Sequence, residues 1–187
     1  MKQIRACTIC EQALPHGVRP IVQASPSARI LIAGQAPGRK VHESGIPFDD
    51  PSGDQLRRWM GVSREQFYDD SLIAIAPMGF CYPGKGTSGD LPPRPECAPA
   101  WREALLAQLT NIELTLVIGR YAQVWHLGKK AGSVTEVVAA WQDYWPKQLP
   151  LPHPSPRNRF WMKKNPWFEQ QVVPALQGRV GEIVKTS

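Results

Sequence analysis

Residues 30–38 read ILIAGQAPG, in which a short apolar run passes directly into glycine and proline. The apolar run predicts a buried strand, and the residues after it predict a tight turn. Gly34 and Gly38 carry no Cβ, so a flat ligand or a phosphate group can approach the main chain there. Pro37 stiffens the turn and fixes the direction of its amide hydrogens before any ligand binds. A plain strand-to-helix turn has the same composition, so this segment alone leaves both interpretations open.

The segments on either side alternate between strand and helix patterns. Three buried strands are predicted, at 29–34, 71–77 and 113–119. The predicted helices are 51–61, 63–70, 98–110, 120–128, 133–145 and 165–180. Their predicted terminal residues are Ser52, Ser63, Ser133 with Glu136, Asn165 and, at one carboxyl end, Gly128. Residues 148–158 are interpreted as an extended loop. This alternation predicts one domain over 1–187, with a parallel sheet covered by helices on both faces.

The composition favours a polyanionic partner without requiring one. The chain of 187 residues has a net charge of +6, and 42% of its residues are hydrophobic. Nucleic acid is a natural partner for such a charge, although basic proteins without one are common. No apolar run approaches the roughly 20 residues of a membrane helix, and the first ten residues lack the apolar segment of a secretory signal. We therefore expect a cytoplasmic protein that does not enter membranes, and nothing in the sequence indicates an obligate oligomer, so a monomer is expected.

Four cysteines form a pattern that can close a metal site. Cys7 and Cys10 belong to CTIC, and Cys81 and Cys97 bracket a loop rich in proline and glycine. Two thiolates three positions apart can reach one metal centre, and a rigid loop can bring the second pair. Zinc and a 4Fe-4S cluster both accept four sulfur ligands, and spacing alone does not choose between them. Buried free cysteines with an accidental C-x-x-C are the remaining alternative.

The late segment HPSPRN, residues 153–158, combines two prolines with several hydrogen-bonding side chains. His153, Ser155, Arg157 and Asn158 supply an imidazole, a hydroxyl, a guanidinium and an amide on a stiff backbone. Such a loop suits a sugar–phosphate backbone, with donors aimed at phosphate oxygens and the imidazole aimed at a base carbonyl. The alternative is that HPSPRN is a proline-rich surface connector with no binding role.

Taken together, these segments resemble the uracil-DNA glycosylase superfamily, most closely its iron–sulfur branch, family 4. The resemblance covers nearly the whole chain and comprises CTIC, ILIAGQAPG, SGIPFDDPSGDQL, the later cysteine pair and HPSPRN. It implies a three-layer α/β/α fold around a mainly parallel four-stranded sheet. It also implies a DNA glycosylase of base-excision repair that removes uracil or a related deaminated base. The cysteines then become the expected ligands of a 4Fe-4S cluster: Cys7, Cys10, Cys81 and Cys97.

The resemblance also assigns roles to individual residues. Enzymes that act on a base rotate its nucleotide out of the stack, and Phe48 matches the position that stacks on the flipped base. His153 matches the histidine that donates a hydrogen bond to a base carbonyl and stabilises the departing anion. The expected substrate-binding residues are Gly34, Ala36, Pro37, Gly38, Phe48, Ser155, Arg157 and Asn158. Lys85 and Arg94 are further candidates for phosphate contact, or ordinary solvated loop residues.

The sequence departs from the family pattern where hydrolysis and uracil selectivity are usually determined. Gln35 stands where the first motif usually has glutamate, and Val41 and His42 stand near an expected acidic pair. The segment IAIAPMGFC before the second cysteine pair contains no asparagine to read the edge of uracil. Gln35 can hold a water through its carbonyl oxygen, but it carries no charge and is a poor base.

Three substitutes for the missing carboxylate are compatible with the sequence. Asp49 or Asp50 can approach the sugar, His42 can act as base or nucleophile, or electrostatic stabilisation alone can suffice. His153, Gln35 and Asp50 are the expected catalytic residues. A DNA-binding protein of the same fold with little or no catalysis is the main alternative. A small cluster-bearing electron carrier fits poorly, because HPSPRN would then have no role.

Overall fold

A four-stranded parallel sheet forms the centre of the computed structural model, which describes residues 1–128 and 132–186. The strands are β1 (Ile30–Ala33), β2 (Ile73–Ile75), β3 (Leu114–Ile118) and β4 (Gln148–Leu151). They lie in the order β2-β1-β3-β4, with β1 paired to both β2 and β3. The sheet confirms the predicted fold class.

Nine helices surround the sheet within the described residues. They are α1 (Lys2–Arg5), α2 (Arg39–Ser44), α3 (Pro51–Met60), α4 (Arg64–Tyr68), α5 (Cys97–Leu106), α6 (Gly119–Leu127), α7 (Val134–Ala139), α8 (Arg159–Lys164) and α9 (Val173–Lys185). A π-helical turn, Phe168–Val172, leads directly into α9. None of the helices in these described ranges is long and apolar enough to cross a membrane.

The strands are apolar on both faces because helices cover both sides of the sheet. Successive side chains of a strand point to opposite faces. Accordingly, Ile30 and Ile32 pack with residues of α3, α4, α7 and α9, whereas Leu31 packs with residues of α1 and α5. Ala33 packs with residues of α5 and α6. These clusters form the three predicted layers of helix, sheet and helix.

The fourth strand corrects the interpretation of residues 148–158 as a loop. Their first four residues pair with β3, with Thr115 opposite Gln148. The segment escaped notice because Pro150 lies inside it, and proline is depleted in strands. β4 is an edge strand, where the missing amide hydrogen of proline is tolerated.

Two predicted helix caps are wrong, whereas those at Ser63, Ser133 and Gly128 are confirmed. Helix α3 is capped by Asp50, whose carboxylate accepts a hydrogen bond from the Gly53 amide at 2.9 Å, while Ser52 lies buried inside the first turn. Asn165 is instead the carboxyl-terminal cap of α8, and its side-chain amide donates to the Trp161 carbonyl at 2.8 Å.

Because all four strands are parallel, the chain leaves β1, β2 and β4 at the same edge of the sheet. Gly34 follows β1, Pro77 lies two residues beyond β2, and His153 lies two residues beyond β4. Ligands of such sheets bind beyond the carboxyl ends of the strands. The topology therefore brings the first motif and HPSPRN to one place, although His153 lies 119 positions after Gly34 in the sequence.

Candidate active site

A cavity of about 440 Å³ opens at this carboxyl edge. Its volume lies within the range of roughly 300–1,000 Å³ that is usual for small-molecule sites. All the residues predicted to act on or bind the substrate line it: Gly34, Gln35, Ala36, Pro37, Gly38, Phe48, Asp50, His153, Ser155, Arg157 and Asn158. Residues far apart in the sequence thus share one cavity.

Phe48 lies on the cavity wall in an unusual backbone conformation. Its φ of +54° makes it the one residue other than glycine, among those the structure describes, with a positive φ. Such a conformation is rare for a bulky side chain and persists only where the surroundings enforce it. The bare Cα of Gly53 makes room for this conformation, because a Cβ on Gly53 would lie 1.8 Å from the Phe48 carbonyl oxygen. The Phe48 ring makes a T-shaped contact with Phe67, with ring centres 6.2 Å apart, and it approaches the bare Cα of Gly34.

His153 is held in one orientation by its own loop. Its Nδ1 accepts a hydrogen bond from the Ser155 amide at 3.2 Å, and Asn158 donates to its carbonyl at 2.7 Å. Burial lowers the pKa of His153, although the charges of Asp50 and Asp90 oppose that shift. The imidazole is therefore neutral at pH 7, and because Nδ1 accepts, the proton resides on Nε2.

The rest of HPSPRN is arranged at the mouth of the cavity. The Ser155 hydroxyl accepts a hydrogen bond from the Arg157 amide at 3.3 Å. Arg157 is exposed, and its guanidinium lies 3.2 Å from the position that a Cβ would take on Gly89. The loop thus comes close to the segment between Cys81 and Cys97, in which Lys85 and Arg94 were the predicted phosphate contacts.

The alternatives for the missing carboxylate are separated by position. Asp50 lines the cavity while it caps α3. Asp49 instead pairs with Arg64 at 2.9 Å, and this hydrogen bond lowers the pKa of Asp49. His42 is not among the residues lining the cavity, and its ring lies against Tyr82, with ring centres 5.9 Å apart. Of these three side chains, Asp50 alone reaches the cavity.

Asp90 and Leu91 are lining residues that sequence reasoning missed. They belong to a hairpin in which the Leu91 amide donates to the Gly84 carbonyl at 2.9 Å. The Gln35 side-chain amide donates to the Leu91 carbonyl in a long hydrogen bond of 3.5 Å. The positions of Cys81 and Cys97 could have indicated this hairpin, because two cysteines that share one site force the loop between them to fold back.

The candidate phosphate contacts on this loop differ from each other. Arg94 forms an ion pair with Glu96 at 2.6 Å, so its charge is largely neutralised locally. Lys85 is exposed, and its backbone pairs with that of Asp90 in the hairpin. Of the two, Lys85 alone keeps an exposed position beside the cavity-lining segment.

The four cysteines line one apolar pocket, as the spacing predicted. The Phe80 amide donates to Cys97 Sγ at 3.3 Å, and the Trp101 indole donates to Cys7 Sγ at 3.2 Å. Burial raises the pKa of Cys10 and of Cys81, and it raises that of Cys97 to about 11. Across 1–128 and 132–186, no three His, Cys, Asp or Glu side chains are grouped as ligands of a single metal ion.

Comparison with known proteins agrees with this architecture. A family model described as the uracil DNA glycosylase superfamily matches residues 21–177, which is most of the chain. The chain belongs to the uracil-DNA glycosylase superfamily. A type-4 uracil-DNA glycosylase from Thermotoga maritima is 27% identical over 161 residues, covering 82% of this chain and 79% of that protein. The resemblance inferred from the motifs is thereby confirmed.

The first motif carries the neutral Gln35 at the position where the resemblance predicted a glutamate. The turn itself is rigid, because the Met78 and Gly79 amides donate to the carbonyls of Gly34 and Gln35, each at 2.9 Å. The Gln35 side chain therefore occupies a fixed position on the wall, without a charge. Pro77 lines the cavity in the segment after β2, and it offers no side-chain hydrogen bond to a base.

Proposed function

We propose that this protein is a monofunctional DNA glycosylase that hydrolyses the bond between deoxyribose and uracil or a related deaminated base. The observation that carries the proposal is that Phe48 and the neutral imidazole of His153 line the same cavity. An aromatic face and a fixed hydrogen-bond donor are what a flipped pyrimidine requires for binding and for leaving as an anion.

The reaction begins when a nucleotide rotates out of the DNA, at a cost of a few kcal/mol in lost stacking. Stacking of its base on Phe48 returns roughly 1–3 kcal/mol. The His153 Nε2–H group donates to a base carbonyl and stabilises the negative charge that develops there. A neutral imidazole suits this role, because it donates a hydrogen bond without transferring its proton to the base before the glycosidic bond breaks.

The remaining lining residues position the nucleotide and the water. Gln35 holds the water through its carbonyl oxygen, and the negative charge of Asp50 favours the cationic sugar. Ala36 and the glycines of the turn allow close approach of the base to the main chain. Ser155, Arg157 and Asn158 contact the phosphates on either side of the flipped nucleotide.

We infer that the cysteine pocket holds a 4Fe-4S cluster with Cys7, Cys10, Cys81 and Cys97 as ligands. An all-sulfur donor set in an apolar pocket, with two N–H groups directed at the sulfurs, supports this cofactor. Zinc also accepts four sulfur ligands, so a single zinc ion is the alternative occupant of this pocket. The cluster supplies a structural link between the N-terminal segment and the hairpin.

A lesion panel tests the proposed function. Single- and double-stranded oligonucleotides carrying uracil, hypoxanthine or xanthine are incubated with the protein, and abasic sites are scored by alkaline cleavage. We expect excision of at least one base, with the rate reduced at least ~100-fold in His153→Ala, since a lost preorganised donor typically costs ~10²–10³. Lys185→Ala is the matched control. Lys185 lies at the end of α9, at the edge of the sheet opposite to the cavity. At that edge the Ile183 carbonyl accepts a hydrogen bond from Arg29.

A second candidate function is binding to damaged DNA without catalysis. The neutral Gln35 and the missing asparagine favour it. In that case the wild-type protein would bind uracil-containing DNA without cleaving any lesion in the panel, and Gln35→Glu would introduce activity.

A further inference from the structure

The proposed reaction leaves one chemical requirement without an assigned residue. As the glycosidic bond breaks, the sugar becomes cationic, and the attacking water must lose a proton. Gln35 can position that water but cannot accept its proton, because a neutral amide is a very weak base. A second carboxylate in the cavity, beside Asp50, would accept that proton.

We propose that Asp90 supplies this carboxylate, in place of the acidic residue that Gln35 replaces. This inference rests on the proposed glycosylase function. Asp90 lines the same cavity as Gln35 and His153. One of its oxygens, Oδ2, lies 3.5 Å from the position that a Cβ would occupy on Gly38, so it stands directly over the first-motif turn. Its negative charge also acts on the His153 imidazole, which places it within electrostatic range of the proposed electrophile.

Asp90 is held in place by its neighbours. Its Oδ1 faces the Tyr82 hydroxyl at 3.5 Å, and Tyr82 is almost completely buried and stacks on His16 with ring centres 5.2 Å apart. The Gly86 amide donates to the Gly89 carbonyl at 2.7 Å and closes the hairpin beneath it. A fixed carboxylate needs no reorganisation when the substrate binds.

The hairpin is anchored to the site from two directions. Cys81 and Cys97 lie at its two ends and share the cysteine pocket, while the Gln35 side chain bonds to Leu91 next to Asp90. The segment between Cys81 and Cys97 therefore also places the carboxylate of Asp90 at the cavity.

The other cavity carboxylate, Asp50, is less suited to accept a proton. Its Oδ1 accepts a hydrogen bond from Gly53 as the cap of α3, and the amino terminus of a helix favours the charged carboxylate. Protonation of Asp50 during the reaction would weaken that cap. Asp90 has an exposed side chain at the rim of the cavity and caps no helix, so transfer of a proton to it would not weaken a helix cap.

The step balances without any additional reactant. The water oxygen forms a bond to C1′ as the bond from C1′ to the base nitrogen breaks, and the bonding electron pair leaves with the base. Asp90 takes one proton from the water, and His153 stabilises the base anion by its hydrogen bond. The anion later gains a proton from Asp90, which restores the carboxylate, or it gains one from solvent while Asp90 releases its proton to solvent.

Single-turnover excision by variants tests the assignment. We expect Asp90→Asn to lower the rate at least ~100-fold, within the ~10²–10⁴ that a general base contributes, with affinity for uracil-containing DNA unchanged within about threefold. Asp70→Asn, at an exposed aspartate outside the cavity, is the matched control and should match wild type.

A rescue arm separates a chemical role from a structural one. Because Gln35 lies beside the same hairpin, Gln35→Glu added to Asp90→Asn should restore the rate at least tenfold. A rate for Asp90→Asn within threefold of wild type, or a loss that Gln35→Glu does not restore, would overturn the inference alone. Inactivity of wild type on every lesion would overturn the proposed function instead.

Discussion

At the scale of single residues, the site depends on side chains that hold others in place. Phe48 can keep its positive φ because Gly53 has no Cβ, which leaves room for the Phe48 carbonyl oxygen. His153 has a defined tautomer because the Ser155 amide occupies its Nδ1. In both cases the conformation of the residue expected to contact the base depends on a neighbouring residue.

Replacement of Gly53 should therefore displace Phe48. A Cβ on Gly53 would lie 1.8 Å from the Phe48 carbonyl oxygen, so Gly53→Ala must shift that backbone. We expect a stability loss of about 1–3 kcal/mol, as for other overpacked sites, together with a loss of base excision. The matched control is Gly178→Ala in α9, where a Cβ meets nothing within 4 Å and alanine should stabilise the helix by up to ~1 kcal/mol. Equal melting temperatures for the two variants would contradict this account.

The neutral state of His153 predicts the pH dependence of excision. Burial lowers its pKa below the ordinary value of ~6.5, so the imidazole is mostly neutral between pH 8 and pH 7. We expect the single-turnover rate of uracil excision to be nearly constant across this window. A rate that rises as pH falls through ~6.5 would show that the imidazolium is the active form and would refute the assigned role.

At the scale of secondary-structure elements, α5 and α6 are joined by a buried polar contact beneath the site. Arg102 of α5 is almost fully buried and donates to the carbonyls of Ala76 and Pro77 at 2.9 and 3.2 Å. It also lies 2.6 Å from His126 Nε2 of α6. Burial lowers the pKa of Arg102 to about 10, so it remains a cation at neutral pH, and His126 must accept from it in the neutral form.

This contact should make stability depend on pH. Burial, and then the charge of Arg102, lower the pKa of His126 to about 4, so between pH 4 and 6.5 the unfolded chain binds a proton that the folded one excludes. The contribution of His126 to stability is therefore complete above pH 6.5 and is lost as pH falls. From pH 7 to pH 5 this amounts to about 2 kcal/mol. Urea unfolding should show a pH-dependent loss smaller by about that amount in His126→Gln, and identical losses in both proteins would contradict the assignment.

The elements also show what the sequence could and could not predict. The strand and turn at 30–38 and the HPSPRN loop were predictable, because glycine, proline and apolar runs mark them locally. β4 was missed because Pro150 masks its strand character. Asp90 was missed because its place over Gly38 depends on how a hairpin docks across 52 residues of sequence, which no local pattern encodes.

At the scale of the whole molecule, one segment of the chain contributes residues to both the cavity and the cysteine pocket. Residues 81–97 carry two cysteines at their ends and Asp90 and Leu91 in between. Loss of the proposed cluster should therefore affect the cavity as well as the N-terminal segment. The predicted parallel sheet, by contrast, is buried on both faces and should persist without the cluster.

Metal analysis tests this link. Anaerobically purified protein should contain about four iron and four sulfide ions per chain, and Cys97→Ser should lose both. We expect that variant to keep its far-ultraviolet circular dichroism but to lose base excision, because the hairpin is released. Leu91→Ala, which leaves the cysteines intact, should retain the iron. One zinc per chain in place of iron, or full excision by iron-free Cys97→Ser, would contradict the account.

The central claim is that one flipped nucleotide occupies the cavity between Phe48 and His153. The most direct measurement is a crystal structure of the protein with an oligonucleotide that carries a 2′-fluorinated deoxyuridine, whose glycosidic bond resists cleavage. We predict that the uracil ring stacks on Phe48 and that a base carbonyl lies about 2.7–3.2 Å from His153 Nε2. A uracil that remains stacked in the DNA, or that binds at any other surface, would contradict the account.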